Sequence, residues 1–131
     1  MKLRCIFTLL FLLPSSGLYA EGTYDCTVKK VLSLSDEGFI EKTDGNYGVG
    51  KRFIVDKSTG VMQGQLSNNG PFVKLEILND GNAMQSFAAI TKNRSTRLAS
   101  YIYVQEFSKN NLKPFFYVDL HLIYSGTCSS L

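Results

Sequence analysis

The sequence lacks the residue sets that build common metal and catalytic sites. It has one histidine, three cysteines and no CxxC pair, so a zinc site made from these residues is not expected. It also has no phosphate loop, no dinucleotide fingerprint, no HExxH motif and no run of spaced acids typical of a calcium loop. We therefore expect no metal and no cofactor, and we predict that the protein is not an enzyme.

Long apolar runs are equally scarce. Ile6–Leu13 is too short to span a bilayer, and no later stretch could anchor the chain in a membrane. Two basic residues precede this run and a small residue, Ala20, follows it, which predicts a signal peptide over residues 1–20 and one domain over 21–131. Cleavage after Gly17 is the alternative. The expected location is periplasmic or secreted.

An excess of charge is missing once the predicted signal peptide is set aside. Because Lys2 and Arg4 lie within residues 1–20, the remaining chain has 12 basic and 11 acidic residues. A nearly neutral chain exerts no global field on nucleic acid or on an anionic membrane. Neither is an expected partner, and we predict a monomer.

The three cysteines reduce to one pair, since Cys5 lies in the predicted signal peptide. Cys26 and Cys128 remain, an even number in an oxidising compartment, and this predicts a disulfide bond between them. Cys26 belongs to the first predicted strand and Cys128 follows the last, so the bond would place these two strands together.

Alternating apolar residues, separated by Gly-, Asn- and Asp-rich turns, dominate the rest of the chain. No amphipathic helix follows residue 20. This pattern predicts an all-β antiparallel meander of seven or eight strands, closed into a small barrel in preference to a sandwich. The predicted strands are Thr23–Leu34, Phe39–Lys42, Arg52–Val55, Val61–Leu66, Phe72–Leu78, Ala83–Thr91, Arg97–Phe107 and a last one in Phe115–Cys128. The alanines of Ala83–Thr91 also allow a short helix.

The stretch Phe115–Cys128 has the cleanest alternation in the chain. It predicts a half-buried strand, whose apolar face carries Phe116, Val118, Leu120, Leu122 and Tyr124. Asp119 and His121 share the other face and could form a general-base pair. We interpret them as the polar outer face of the strand, because no nucleophile lies nearby.

Loops on a rigid β-scaffold are the expected recognition surface. The predicted loops are 43–50, 67–71 and the basic turn 92–97, and the candidate partner-binding residues are Tyr47, Asn69, Lys92, Arg94 and Arg97. The leading hypothesis is a non-enzymatic binding module or inhibitor that acts on another protein. The alternative is a carrier of a small apolar ligand, in which aromatic side chains line a lipocalin-like barrel.

The hairpin within Lys51–Leu66 carries a resemblance. Its motif Phe53-x-Val55-Asp56-Lys57-x-Thr59-Gly60-x-Met62-x-Gly64 resembles one in small exported bacterial proteins of unknown function, and it implies nothing about activity. The predicted architecture is similar to that of the small periplasmic inhibitors of lysozyme, which implies a class of function. This chain has no tryptophan and lacks the inhibitory loop motif of that class, so no residue role is carried over.

Overall fold

The computed structural model describes residues 22–82 and 84–131, and every regular element within them is a β-strand. The strands are β1 Thr23–Leu34, β2 Ile40–Lys42, β3 Arg52–Asp56, β4 Met62–Gly64, β5 Val73–Asn82, β6 Gln85–Asn93, β7 Ala99–Val104, β8 Leu112–Asp119 and β9 Leu122–Ser130. The all-β prediction is confirmed. The predicted signal peptide lies outside the described residues.

All nine strands of the described residues form one antiparallel sheet, in the order β4-β3-β1-β9-β8-β7-β6-β5, with β2 paired to β1. The first strand therefore lies beside the last, as predicted. Cys26 is directly opposite Cys128 in this pair, and the two form a disulfide bond. The disulfide prediction is confirmed.

The prediction of a closed barrel is wrong, because the sheet stays open between β4 and β5. β4 has only three residues, and its Met62 N–H donates to the side-chain Oδ1 of Asn68 at 2.7 Å instead of to β5. The Asn68 Nδ2 donates to Thr91 Oγ1 of β6 at 3.1 Å. The Asn68 side chain thus links β4 to β6 across the gap between β4 and β5.

The open sheet is strongly curled into a half-barrel, and its concave face holds the core. The ring of Tyr24 on β1 packs edge-on against Phe87 on β6 at 5.5 Å, although three strands separate β1 from β6 in the sheet. Phe53 and Phe115 meet in the same way at 5.2 Å. These side chains and both cysteines belong to one buried cluster, which fills the concave face.

A bulge in β1 changes which of its side chains face the core. The register shifts between Val28 and Lys30, so Val31 is buried, whereas Leu32 points to the convex side. An extra residue in one strand of a pair moves all later side chains to the opposite face. The lysine at position 30 interrupts the alternation for this reason.

The predicted last strand is two strands. Leu120 and His121 form a tight turn between β8 and β9, and Leu120 has φ 55°. As a result, Tyr117 and Tyr124 share the core face, and Phe116 lies on the convex face. The predicted apolar inner face is therefore wrong for Phe116 and Leu120, whereas Leu122 and Tyr124 do pack on the core.

Three other local features complete the description of the strands. Gly64 brings β4 close to β3, since a Cβ there would lie 2.8 Å from the Arg52 carbonyl oxygen. The segment predicted as strand or helix is the strand β6 in its described part. The turn predicted at residues 79–82 is instead part of β5, with a register shift between Ile77 and Asn79.

Candidate functional site

Several connections of the sheet meet at one of its ends. Asn93, at the end of β6, lies opposite Val73. Asp119, at the end of β8, lies opposite Ser100 on one side and Leu122 on the other. Because neighbouring strands are antiparallel, the turns that follow these residues lie at the same end, which we call the loop end. Its connections are residues 35–39, 65–72, 94–98 and 120–121.

An open cleft of about 330 Å³ lies at the loop end, and we call it the loop-end cleft. Its wall includes Asn69 from the connection after β4, and Asn93 and Thr96 from the turn after β6. Tyr117 and Asp119 of β8 complete it. Amide, hydroxyl and carboxylate groups converge here, so the cleft suits a ligand group that forms hydrogen bonds.

Asn68 holds the connection 65–72 against the cleft. This side chain is 7% exposed, and its Oδ1 accepts the bond from Met62 described above. Its Nδ2 donates to the Gly60 carbonyl at 2.9 Å as well as to Thr91. A buried amide with three bonds fixes the loop, and the exposed neighbour Asn69 is thereby presented to solvent.

Among the described residues that line the cleft, Asp119 alone carries a formal charge. Its carboxylate forms no hydrogen bond or ion pair with any described residue, and it faces solvent. Burial is the main cause that raises the pKa of Tyr117. A hydrogen bond from Ser100 lowers this pKa, and the negative charge of Asp119 raises it. The cleft therefore offers a free acceptor beside a neutral tyrosine.

The predicted basic turn is divided between two surfaces. Arg94 and Arg97 are exposed on the turn itself, whose Asn93 and Thr96 line the cleft. Lys92 instead lies on the convex face, where its Nζ is 3.5 Å from Glu76 Oε2. The two arginines are thus placed at the rim of the cleft, and Lys92 is not.

The Asn93 side chain shapes the turn that carries these arginines. Its Oδ1 accepts from the backbone N–H of Ser95 at 2.9 Å and of Thr96 at 3.1 Å. Arg97 donates its backbone N–H to the Asn93 carbonyl at 2.9 Å and adopts φ 58°. Local bonds of this kind hold a turn in one conformation, which keeps the arginines at a defined position.

Tyr47 lies on the connection 43–51, and Tyr124 lies between it and Tyr117 of the cleft wall. Its hydroxyl and that of Tyr124 form a hydrogen bond, and the Tyr124 ring packs 5.9 Å from that of Tyr117. Burial, together with the charge and hydrogen bond of Tyr47, raises the pKa of Tyr124 to about 12. Lys51 Nζ lies 5.2 Å above the Tyr47 ring. Tyr47 is 55% exposed and therefore available for contact.

Sequence reasoning missed an aromatic group on the convex face. Tyr103 and Phe116 stack with ring centroids 5.1 Å apart, and Tyr101 lies 5.8 Å from Phe116. Ser86 donates from its hydroxyl to the Tyr103 oxygen at 2.7 Å. The alternation of Ile102 with its tyrosine neighbours was the available signal, since Ile102 is buried and they are not.

The candidate pair Asp119 and His121 is not assembled. Asp119 ends β8 and His121 lies in the following turn, and no hydrogen bond or ion pair joins them within residues 22–82 and 84–131. In those same ranges, no three side chains of the His, Cys, Asp and Glu types group as metal ligands do. The expectation of a non-enzyme stays a prediction.

Comparisons with protein-family models, with curated proteins and with solved structures find no significant match to the chain. The described residues include no helix with the length and apolar character needed to cross a membrane. A buried disulfide such as Cys26–Cys128 is typical of exported proteins. Any function must therefore be argued from this chain's own surfaces.

Proposed function

We propose that this protein is an exported, non-enzymatic binding module that recognises another protein with its loop end. One observation carries the proposal: the connections that hold Asn69, Arg94 and Arg97 meet around a single cleft. Recognition residues are found disproportionately on loops that a rigid sheet positions. The disulfide between the first and last strands supplies that rigidity.

Export is supported by two independent features. The apolar run and small residues in 1–20 predict a signal peptide, and the Cys26–Cys128 disulfide needs an oxidising compartment to persist. A periplasmic or secreted location is part of the proposal.

The loop end also defines the chemistry of the partner. Arg94 and Arg97 at the rim favour an acidic patch, because guanidinium groups bind carboxylates with two parallel bonds. Tyr47, on the connection 43–51 outside the loop end, adds an exposed aromatic ring near the cleft. Tyrosine and arginine are enriched among residues that dominate binding energy. Asp119 in the cleft would accept bonds from an N–H or O–H group that the partner inserts.

The alternative of an apolar-ligand carrier gains no support from the concave face. That face is filled by the buried cluster, which includes Tyr24, Phe53, Phe87 and Phe115. The loop-end cleft, in contrast, is open and its wall is rich in polar groups. We therefore do not extend the proposal to a carrier.

Site-specific photo-crosslinking in the exporting cell tests the proposal. A photoreactive amino acid replaces Asn69 in one variant and, as a matched control, the exposed Lys109, which lies between β7 and β8 at the opposite end of the sheet. We expect one protein to be crosslinked from position 69 and not from position 109. Equal crosslinking from both positions, or none from position 69, would overturn the proposal.

The affinity for the crosslinked protein is then measured with purified components. The double variant Arg94→Glu/Arg97→Glu should raise the dissociation constant at least about tenfold, since it places acids against an acidic patch. Lys109→Glu, which changes charge by the same kind of reversal, should leave it unchanged. An unchanged affinity in the double variant would contradict recognition by the loop end.

A further inference from the structure

The free edge of β5 is the longest unpaired edge of the sheet. β5 has ten residues and is the last strand in the sheet order, and among the described residues it pairs only with β6. The inward-facing Leu75 and Ile77 are half-buried, whereas the inward residues of the central strands are buried. A long open edge is a template for pairing with another strand.

The direction of the backbone groups on β5 follows from one hydrogen bond. Arg94 donates its N–H to the Phe72 carbonyl at 2.9 Å, so the backbone of Phe72 faces β6. Backbone groups alternate in direction along a strand of an antiparallel pair. Those of Lys74 and Glu76 therefore also face β6, and those of Leu75 and Ile77 face the free edge.

The regular part of this edge is short and symmetric. It begins after the turn in which Val73 donates its N–H to the Gly70 carbonyl at 3.2 Å, and it ends at the register shift after Ile77. Residues 73–77 are centred on Leu75. A two-fold axis through Leu75 would place each edge antiparallel to its copy over this whole segment.

The side chains match under that symmetry. Lys74 of one copy would lie directly opposite Glu76 of the other, and this happens twice. Both side chains are exposed on the convex face. Opposite charges directly across two strands are stabilising, and like charges are destabilising. On the other face, Leu75 would meet Leu75 of the second copy.

We propose that two copies of this chain pair through the free edges of β5, antiparallel and with Leu75 on the two-fold axis. The available backbone groups form four bonds. Leu75 N–H donates to the Leu75 carbonyl of the second copy, and Ile77 N–H donates to the Val73 carbonyl of the second copy, each reciprocated. The exposed Phe72 and Leu78 flank the paired segment and lose exposure. This dimer departs from the monomer that the sequence predicts, and its paired segment begins next to the connection 65–72 of the loop end.

Charge reversal with analytical ultracentrifugation tests the proposal. The variant Lys74→Glu places four glutamates around the axis, and Glu76→Lys places four lysines there, so each alone should dimerise at least about tenfold more weakly than the wild type. An equimolar mixture of the two variants restores every opposite-charge pair, and it should form a heterodimer. Lys109→Glu, at the other end of the sheet, should dimerise as the wild type does.

Three outcomes would overturn the proposal. They are a wild type that stays monomeric up to about 1 mM, a Lys74→Glu variant that dimerises like the wild type, and a variant mixture that does not associate. If the edge of β5 instead accepts a strand from an unrelated protein, the purified wild type would stay monomeric, which is the first of these outcomes.

Amide hydrogen exchange on the wild type gives a readout that needs no variant. The amide protons of Leu75 and Ile77 should exchange slowly in concentrated solution and rapidly after dilution, because they are bonded only in the dimer. Those of Lys74 and Glu76, which face β6, should stay protected in both. Fast exchange of Leu75 at high concentration would contradict edge pairing.

Discussion

The two ends of the half-barrel differ in how their polar side chains interact. At the loop end, polar side chains surround an open cleft. At the opposite end, Glu106 accepts a hydrogen bond from the Tyr24 hydroxyl, and its Oε1 lies 2.6 Å from Lys57 Nζ. Lys57 also lies 4.9 Å above the Tyr24 ring. We call these three residues the Glu106 cluster.

The difference lies in which side chains the curl brings together. Tyr24, Lys57 and Glu106 come from three separate elements, and their polar groups satisfy one another. Gly81 lets β5 approach them, because a Cβ there would lie 2.9 Å from the Tyr24 oxygen. The loop end instead has short hydroxyl and amide side chains, among them Asn69 and Thr96, around a cleft that stays open. The Glu106 cluster therefore stabilises the fold, and the loop end is the surface that we propose for recognition.

Removing the disulfide should have the largest effect, because both ends depend on the scaffold that it ties. The double variant Cys26→Ala/Cys128→Ala should lower the free energy of unfolding by about 2–5 kcal/mol, since a long loop in the unfolded chain is released. Urea titration measures the loss. A change below about 1 kcal/mol would show that strand pairing alone holds β1 to β9.

The next largest effect should come from Glu106→Gln, which removes the charge that joins the cluster. Its side chain is 11% exposed and that of Lys57 is 24% exposed, so we expect a loss of about 2–3 kcal/mol. The control is Asp25→Asn, whose partner Arg52 is 67% exposed, and it should cost less than about 1 kcal/mol. Equal losses in both variants would show that the buried ion pair of Glu106 contributes no more than the exposed one of Asp25.

At the loop end, two neighbouring asparagines should differ. Asn68→Ala should cost about 2 kcal/mol, because it leaves the buried Met62 N–H without an acceptor. Asn69→Ala should cost less than about 0.5 kcal/mol, because that side chain is exposed. Thermal unfolding of both variants measures the difference. If Asn69→Ala were the more damaging, the assignment of one residue to structure and the other to recognition would be reversed.

The smallest effect should be the loss of stability that acid causes through the Glu106 cluster. Burial alone raises the pKa of Glu106, but the hydrogen bonds from Lys57 and Tyr24 and the nearby positive charges outweigh it and lower the pKa overall. The stability from a lowered carboxyl pKa is complete above the unfolded pKa of about 4.3, and it is lost as the pH falls toward the folded value. Unfolding free energies measured from pH 6 to pH 3 should fall more steeply for the wild type than for Glu106→Gln. Identical slopes would contradict the role of the cluster.

Turn chemistry explains why much of the strand pattern was predictable. The bonds that Asp56 accepts from Ser58 are local, at 2.7 and 2.6 Å, and they also lower the pKa of Asp56. Asn93 shapes its turn in the same way. Of the candidate site, Asn69, Arg94 and Arg97 do gather at one cleft or its rim, whereas the place of Asp119 in that cleft was not foreseen.

The turn at Leu120 and His121 has no such chemistry, and it could not be found locally. Neither residue is Gly, Pro, Asn or Asp, and apolar alternation continues through both. Pairing of β8 with β9, and of β9 with β1, imposes the reversal and holds Leu120 at a positive φ. Long-range pairing outweighs a local preference here, as is common in sheets.

Local residue chemistry therefore settled the strand class, most of the turns and the disulfide partners, because each depends on nearby residues or on a pair with one possible match. The tertiary structure decided which face of each strand is inside, since one bulge after Val28 and one turn at Leu120 exchange the faces. It also decided that the sheet stays open between β4 and β5, where the Asn68 side chain accepts the bond from the Met62 N–H. In this open sheet the edge of β5 is free, and the cleft lies beside Asn69.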